Sequence, residues 1–407
     1  MLQKKLILIL NKKVDFLKNF FNPLLIIVVG ILFTFYSGYR GVFPIDSFLI
    51  YDAGYKIING FHPFKDYWTI TGPFLDYLQF LFFKFLGINW FSYVLHASII
   101  NLFLSLFLYF FLLKLEVKKS YCLIYALSIS ILAYPSAGTP FMDHHAAIFS
   151  LISLIFFLLA LKKNNKLYWF LVPIFLSFSF LSKQIPSVYL ASLIAIVIPI
   201  FFYLNKSKNF KNFFFIFIGG ILSFLIFFLI MIVFKIPFEN FWVQYILYPM
   251  EIGSTRYGLI GFDFKKLVSQ FKFIYFSLIP LFFITLKIFI SGGLNVDKKK
   301  DILQIFFVII SVAIFIYCQI LTRNQILIFF LIPFILGFTH YLSVKYKVGI
   351  LVNIILITIL FISSVKFNER FNIDRKFMEL NKVDFTLSKN AIVLDKSLKN
   401  LKWITPH

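Results

Sequence analysis

The sequence predicts an all-α polytopic membrane protein of about eleven transmembrane helices, with interfacial helices in its first outer loop. Two observations carry that prediction. Of the 407 residues, 60% are hydrophobic and only 14% charged, with a mean hydropathy of +0.89. A soluble globule of 47.9 kDa would need a more polar skin. The apolar residues also fall in runs near the roughly 20 residues that cross a bilayer as a helix, and Lys-rich breaks separate them. Disorder, collagen-like repeats and disulfide scaffolds are excluded by the same composition.

Taken in order, the runs are 21–39, 91–113, 121–137, 145–161, 167–182, 186–204, 213–234, 273–290, 302–320, 325–342 and 348–364. The division at Ser182-Lys183-Gln184-Ile185-Pro186 rests on a polar break between two short runs. Residues 73–87 are apolar as well, but Asp76 and Lys84 interrupt them, so they read as a helix lying along the membrane surface. Residues 1–364 then form one transmembrane domain, with outer loops at about 40–90 and 235–272, and 365–407 form a short extracytoplasmic tail.

The net charge of +23 does not indicate nucleic acid, because the basic residues are scattered between apolar runs. They behave as orienting loop charges. With a cytoplasmic N-terminus, 20 of the 35 Lys fall in the inner loops, among them Lys114, Lys118, Lys119, Lys162, Lys163 and Lys298 to Lys300. All five Arg (Arg40, Arg256, Arg323, Arg370 and Arg375) fall outside. The preference for Lys over Arg, with abundant Phe, Ile and Asn, suits an AT-rich bacterial genome and hence a bacterial inner membrane. Cys122 and Cys318 lie within apolar runs and read as small core residues.

Carboxylates gather on the outer side: Asp46, Asp52, Asp66, Asp76, Asp143, Glu239, Glu251 and Asp263. None lies at the middle of a span, where an ion-coupled transporter would place one. The first outer loop holds Pro44 and Asp46 as a helix-start signal, a short helix that Gly60 ends, and a turn-rich stretch through Pro63, Gly72 and Pro73. Asp46 stands just outside the first span. It suits either an N-cap for 47–59 or a general base whose pKa a partly dehydrated interface would raise. His62 and His96 have no partner in sequence and read as structural.

These residues carry a resemblance. Pro44-Ile45-Asp46, Tyr51, Ala53, Gly60, Phe64-Lys65-Asp66, Gly72-Pro73 and Gly87 resemble the first outer loop of the GT-C superfamily of membrane glycosyltransferases, in particular the protein O-mannosyltransferase-like and aminoarabinose-transferase-like enzymes. Ser182-Lys183-Gln184 is similar to a turn these families place at an outer hairpin, and Asp143-His144-His145 to an acid or His at the mouth of a span. Gly72 stands where relatives often carry a polar residue. The motifs cover roughly residues 20–205.

The resemblance implies an inverting transfer of a sugar from a polyprenyl-phosphate donor, on the outer face of the membrane, to a lipid, glycan or protein acceptor. Asp46 would be the general base, with Asp66 second. Lys183, Arg256 and Arg323 would hold the donor phosphate, the Arg guanidinium offering two oxygens a planar fork. Asp143 and His144 would supply a further acid or metal ligands. No cofactor is required, and the converging carboxylates leave room for a divalent cation. The consecutive residues 143–145, however, fan about 100° apart on a helix and cannot all face one ion. The partners are the lipid-linked donor and membrane lipids, not nucleic acid. A flippase for a lipid-linked sugar, or an O-antigen polymerase or ligase, is the alternative reading.

The topology is testable with reporter tags. Tags at the N-terminus and within 295–300 should report cytoplasm, and tags within 60–66 or after 370 the outside. A tail reporting cytoplasm would require an even number of spans and would break the hairpin at Lys183.

Overall fold

Eleven apolar helices pack together in the structure, a computed structural model that describes residues 2–39, 48–133, 138–205, 211–258, 264–291, 293, 295–322, 328–369, 382–386 and 392–394. For residues 2–19, 205, 256–258, 264–266 and the two strands, only the backbone is described. The helices are α1 (Leu2–Gly38), α2 (Leu49–Ile58), α3 (Pro73–Leu86), α4 (Trp90–Lys114), α5 (Lys119–Leu132), α6 (Met142–Lys163), α7 (Lys166–Ser182) and α8 (Ser187–Asn205). They continue with α9 (Phe215–Val233), α10 (Phe238–Phe241), a π-helical turn (Trp242–Leu247), α11 (Tyr248–Gly258), α12 (Phe264–Ile290), α13 (Val296–Thr322), α14 (Leu331–Lys345) and α15 (Ile350–Phe367). In the tail, β1 (Lys382–Thr386) pairs antiparallel with β2 (Ile392–Leu394), an element absent from the sequence reading.

Every expected span has its helix, but not every helix has the length of a span. Eight are long and apolar enough to cross a membrane, whereas α5, α7 and α14 run for 14, 17 and 15 residues. The expected runs 121–137 and 325–342 extend partly over 134–137 and 325–327, which lie outside the described residues. For α14 the physical reason is plain. All its residues from Leu331 to Ser343 are buried, and a helix wrapped in protein satisfies its backbone without matching the hydrocarbon thickness.

At the centre stands α6. It is apolar on all sides, and every residue from Asp143 to Leu161 is buried, as such a helix must be. Its neighbour α7 is joined to it through a left-handed Asn164 (φ 45°) and starts on the Asn165 side chain, which accepts the Leu167 N–H at 2.8 Å. Small hydroxyl residues let these two helices approach and bond. Ser150 and Ser179 hydroxyls lie 2.7 Å apart, Ser179 also donates to Ala146 O at 2.7 Å, and Ser153 donates to Val172 O at 2.8 Å. On the far side of α7, a Cβ at Gly219 of α9 would fall 2.2 Å from Phe170 O, so only glycine allows that approach.

The loop between α1 and α4 folds against this centre. α2 starts after Phe48 and ends before Gly60, whose φ of +84° suits only glycine. α3 has Pro73 at its first turn and Gly87 (φ +83°) after its end. It buries Leu75, Asp76, Gln79 and Phe83, while Leu81 and Phe85 are exposed. Its 14 residues are too few to cross a bilayer. α4 then starts on Asn89, whose side chain accepts the Ser92 N–H at 2.9 Å.

Where the loop meets the bundle, a Cβ on Gly72 would lie 1.9 Å from Leu181 O and 2.5 Å from Ser182 O. Gly72→Ala must therefore push the loop off the end of α7. Thermal melting should show a loss of about 1–3 kcal/mol or more. Gly253→Ala, at an exposed helical site where a Cβ meets nothing within 4 Å, should be neutral or mildly stabilising.

Candidate active site

Three stretches distant in sequence converge at one end of α6. α7 stops at Ser182, and Lys183 continues in an extended conformation (φ −160°, ψ 144°). The Gly72 N–H donates to Ser182 O at 3.2 Å, which lays the Gly72-Pro73 turn on the end of α7. Lys183 turns its ammonium onto the Asp143 carboxylate in the first turn of α6, and the pair is buried to 4% exposure at Asp143 and 21% at Lys183. An acid there is also favoured by the positive end of the helix. So Gly72-Pro73, Asp143 and Ser182-Lys183-Gln184 are brought together.

A fourth stretch closes over them, and the sequence reading did not single it out. Gln184 donates to Tyr245 O at 2.6 Å, and the Tyr245 hydroxyl donates to Phe180 O. The Thr69 N–H donates to the Gln244 side chain at 3.1 Å, and Asn240 donates to Phe64 O at 2.8 Å. Gln244 and Tyr245 lie in the π-helical turn, a distortion often found at functional sites. The only signal for these residues in the sequence was two amides, Asn240 and Gln244, spaced four apart in an aromatic run.

The other expected site residues fare differently. Asp46 and Arg323 lie outside the described residues, as does Asp263, and of Arg256 only the backbone in α11 is described. The cap position of α2 is Phe48, so the expectation that Asp46 caps a helix over 47–59 is corrected: the helix starts at Leu49. Asp66 is exposed and spends one oxygen on the His62 N–H at 2.7 Å, which ties the 62–66 turn. His62 in turn bonds the Tyr77 hydroxyl at 3.1 Å and stacks on Phe234 at 4.3 Å. Burial lowers the His62 pKa, Lys65 lowers it further and Asp66 opposes. His144 bonds Ala133 O through Nε2, and His96 bonds Gln79 at 2.8 Å.

One acid is in an unexpected place. Asp76 interrupts the apolar face of its run and reads in sequence as an exposed break. In the structure it is wholly buried, and neither carboxylate oxygen has a hydrogen-bond partner among the described residues. Tyr67 has a buried, unpartnered hydroxyl too. Burial pushes the Asp76 pKa up to about 8, nearby Asp52 adds to the rise and Lys56 opposes it. Lys56 itself is held at 2.7 Å by Asp52 and lies over the Tyr67 ring at 4.8 Å.

No family model matches the chain, and no curated protein matches it. Among solved structures, it is similar to the oligosaccharyltransferase of the archaeon Archaeoglobus fulgidus, crystallised in complex with zinc and sulfate. The identity is 14% and the TM-score 0.45, over 86% of this chain and 53% of that one. The chain thus spans about half the length of that protein.

The buried Asp76 makes the fold sensitive to alkali. Its folded pKa of about 8 exceeds the ordinary 3.8, so the protonated acid stabilises the fold fully below pH 4. That contribution is lost as pH rises through 8, by at most about 1.4 kcal/mol per pH unit. Melting curves from pH 5 to 9 should show the wild type weakening with rising pH and Asp76→Asn losing most of that dependence. An unchanged slope in Asp76→Asn would assign the dependence to another group.

Proposed function

We propose that the chain is a GT-C-type glycosyltransferase that moves a sugar from a polyprenyl-phosphate donor to an acceptor at the outer surface of the membrane. The observation that carries this reading is the convergence of Gly72-Pro73, Asp143 and Ser182-Lys183-Gln184 at one end of α6. Those stretches are three of the places where the sequence resembles that superfamily. Acceptor and donor would meet there, with the donor tail lying among the apolar helices.

In the proposed reaction the acceptor oxygen or nitrogen bonds to the anomeric carbon as the bond from that carbon to the phosphate oxygen breaks. The electron pair leaves with the polyprenyl phosphate, and the acceptor proton passes to Asp46. Attack opposite the leaving group inverts the centre. Lys183, Arg256 and Arg323 would bind the phosphate and stabilise it as charge develops. Asp66, tied to the 62–66 turn yet exposed, would be the second acid.

The test is to incubate purified protein with a panel of polyprenyl-phosphate sugars and ask whether any sugar leaves the lipid. Asp46→Asn should lower turnover by about 10²–10⁴-fold with melting unchanged. Near-normal turnover in Asp46→Asn together with loss in Asp66→Asn would exchange the two roles. Retention of every sugar on its lipid would overturn the reading.

A further inference from the structure

The two ends of the bundle differ in charge. Asp143 opens α6, whereas Lys162 and Lys163 close it. At the Lys162 end, three contacts join the helices and gather further lysines. Lys162 lies over the Tyr341 ring of α14 at 3.7 Å, Lys345 is bonded to Asp301 of α13, and Lys287 of α12 donates to Lys347 O at 3.2 Å. Asp301 is engaged twice, since the Tyr346 hydroxyl donates to it as well. Lys287 and Lys347 are exposed and form no ion pair among the described residues. Lys347 stands in a tight turn at φ 49°, with the Val348 N–H on Ser343 O at 3.0 Å. The end of α12 and the turn before α15 are therefore held together, and both carry an uncompensated ammonium.

The same two helices enclose a groove. Each is long and apolar enough to cross a membrane. An apolar cavity of about 240 Å³ lies between them, lined by Phe276, Ile279 and Pro280 of α12 and Ile355, Ile359 and Ile362 of α15. Phe276, Ile279, Ile355 and Ile362 are exposed, so the groove opens sideways. Pro280 stands seven residues before Lys287, so at a helical rise of about 1.5 Å the groove begins about 10 Å from that lysine and runs away from it.

Cations at the helix ends, with an apolar groove leading inward from them, match an amphiphile with an anionic head. Free phosphate would use the lysines and leave the groove. An uncharged chain would use the groove and leave the lysines. A zwitterionic lipid carries its own ammonium beside the phosphate and gains less from two more. We infer that α12, α15 and the turn before α15 bind one anionic phospholipid of the bilayer, its phosphate on Lys287 and Lys347 and an acyl chain in the groove. The inference is independent of the glycosyl-transfer reading, whose donor phosphate belongs at the Asp143 end.

The test uses the full chain, purified in a neutral detergent and titrated with phosphatidylglycerol or phosphatidylcholine of equal chain length. Bound lipid is counted by native mass spectrometry. Wild type should keep one phosphatidylglycerol per chain under conditions that strip phosphatidylcholine. Lys287→Gln and Lys347→Gln should each weaken retention about fivefold, the effect of one basic residue beside an anionic headgroup. Lys118→Gln, in the turn between α4 and α5, should leave it unchanged. The double variant Lys287→Arg/Lys347→Arg keeps both charges and should keep the lipid, which separates loss of charge from loss of fold. Ile355→Trp and Ile362→Trp fill the groove from exposed positions and should weaken retention with both lysines intact. Excess inorganic phosphate should not displace the lipid, because it has no chain to seat.

Equal retention of the two lipids, or no loss in Lys287→Gln/Lys347→Gln, overturns the placement of the phosphate. Displacement by inorganic phosphate, or full retention in both Trp variants, overturns the placement of the chain. A polyprenyl phosphate that outcompetes phosphatidylglycerol and is lost in the same variants would give the groove to that lipid and overturn the phospholipid assignment.

Discussion

The arrangement at the Asp143 end of α6 depends on one ion pair. α6 is enclosed along its length, so Asp143 in its first turn brings a carboxylate into an apolar surround at 4% exposure. That placement is tenable only with a cation beside it. The cation comes from the turn after α7, and the demand fixes where that turn must lie. Because the backbone of the loop between α1 and α4 rests on the same turn through Gly72, the loop's position follows from it as well. A charge 40 residues away in sequence thereby determines how α6, α7 and the first loop meet.

The rest of the closure uses neutral groups. Gln184, Asn240 and Gln244 each bond a main-chain group of a different stretch. Side-chain amides can supply a donor or an acceptor without the desolvation cost of a second buried charge. In low dielectric such bonds are strong when complete and costly when broken. The stretches 64–69 and 240–245 are thus tied to each other and to the turn at Lys183 by bonds that do not compete for its ammonium. Phe64, Phe241 and Tyr245 fill the space between, with ring centroids 5.3–6.0 Å apart.

The helices were legible in the sequence because their signal is local. An apolar run of about 20 residues states its own requirement, and the Lys-rich break after Leu161 and the polar break at Lys183 showed where helices end. Length alone did not settle α14, which is shorter than a span and buried in its neighbours. The site was legible in part. Gly72-Pro73, Asp143 and Lys183 could be named from their residue types and order, but not their meeting, because nothing in either local pattern records a contact across 40 residues. Asn240, Gln244 and Tyr245 went unnoticed because amides and a tyrosine in an aromatic run look like ordinary interfacial residues. Asp76 misled for a related reason. A carboxylate in a short apolar segment with a lysine eight residues on resembles the polar face of a surface helix, and only the packing of α3 on α2 and α4 turns that face inward.

Asp76 and Asp143 meet the same physical problem with different solutions. Each is an acid folded into an apolar surround. Asp143 receives an ammonium on a tether whose base is bonded at both ends. Asp76 is wholly buried, and the ammonium that acts on it, Lys56, is held by Asp52, so it takes a proton instead. Burial is the largest cause of its raised pKa, with Asp52 adding to it and Lys56 opposing. Lys56 and Asp52 lie four apart on one helix and meet without any help from tertiary structure, so that ammonium is already engaged when α3 packs inward. An acid that burial keeps neutral near pH 7 can donate a hydrogen bond where an ionised one could only accept.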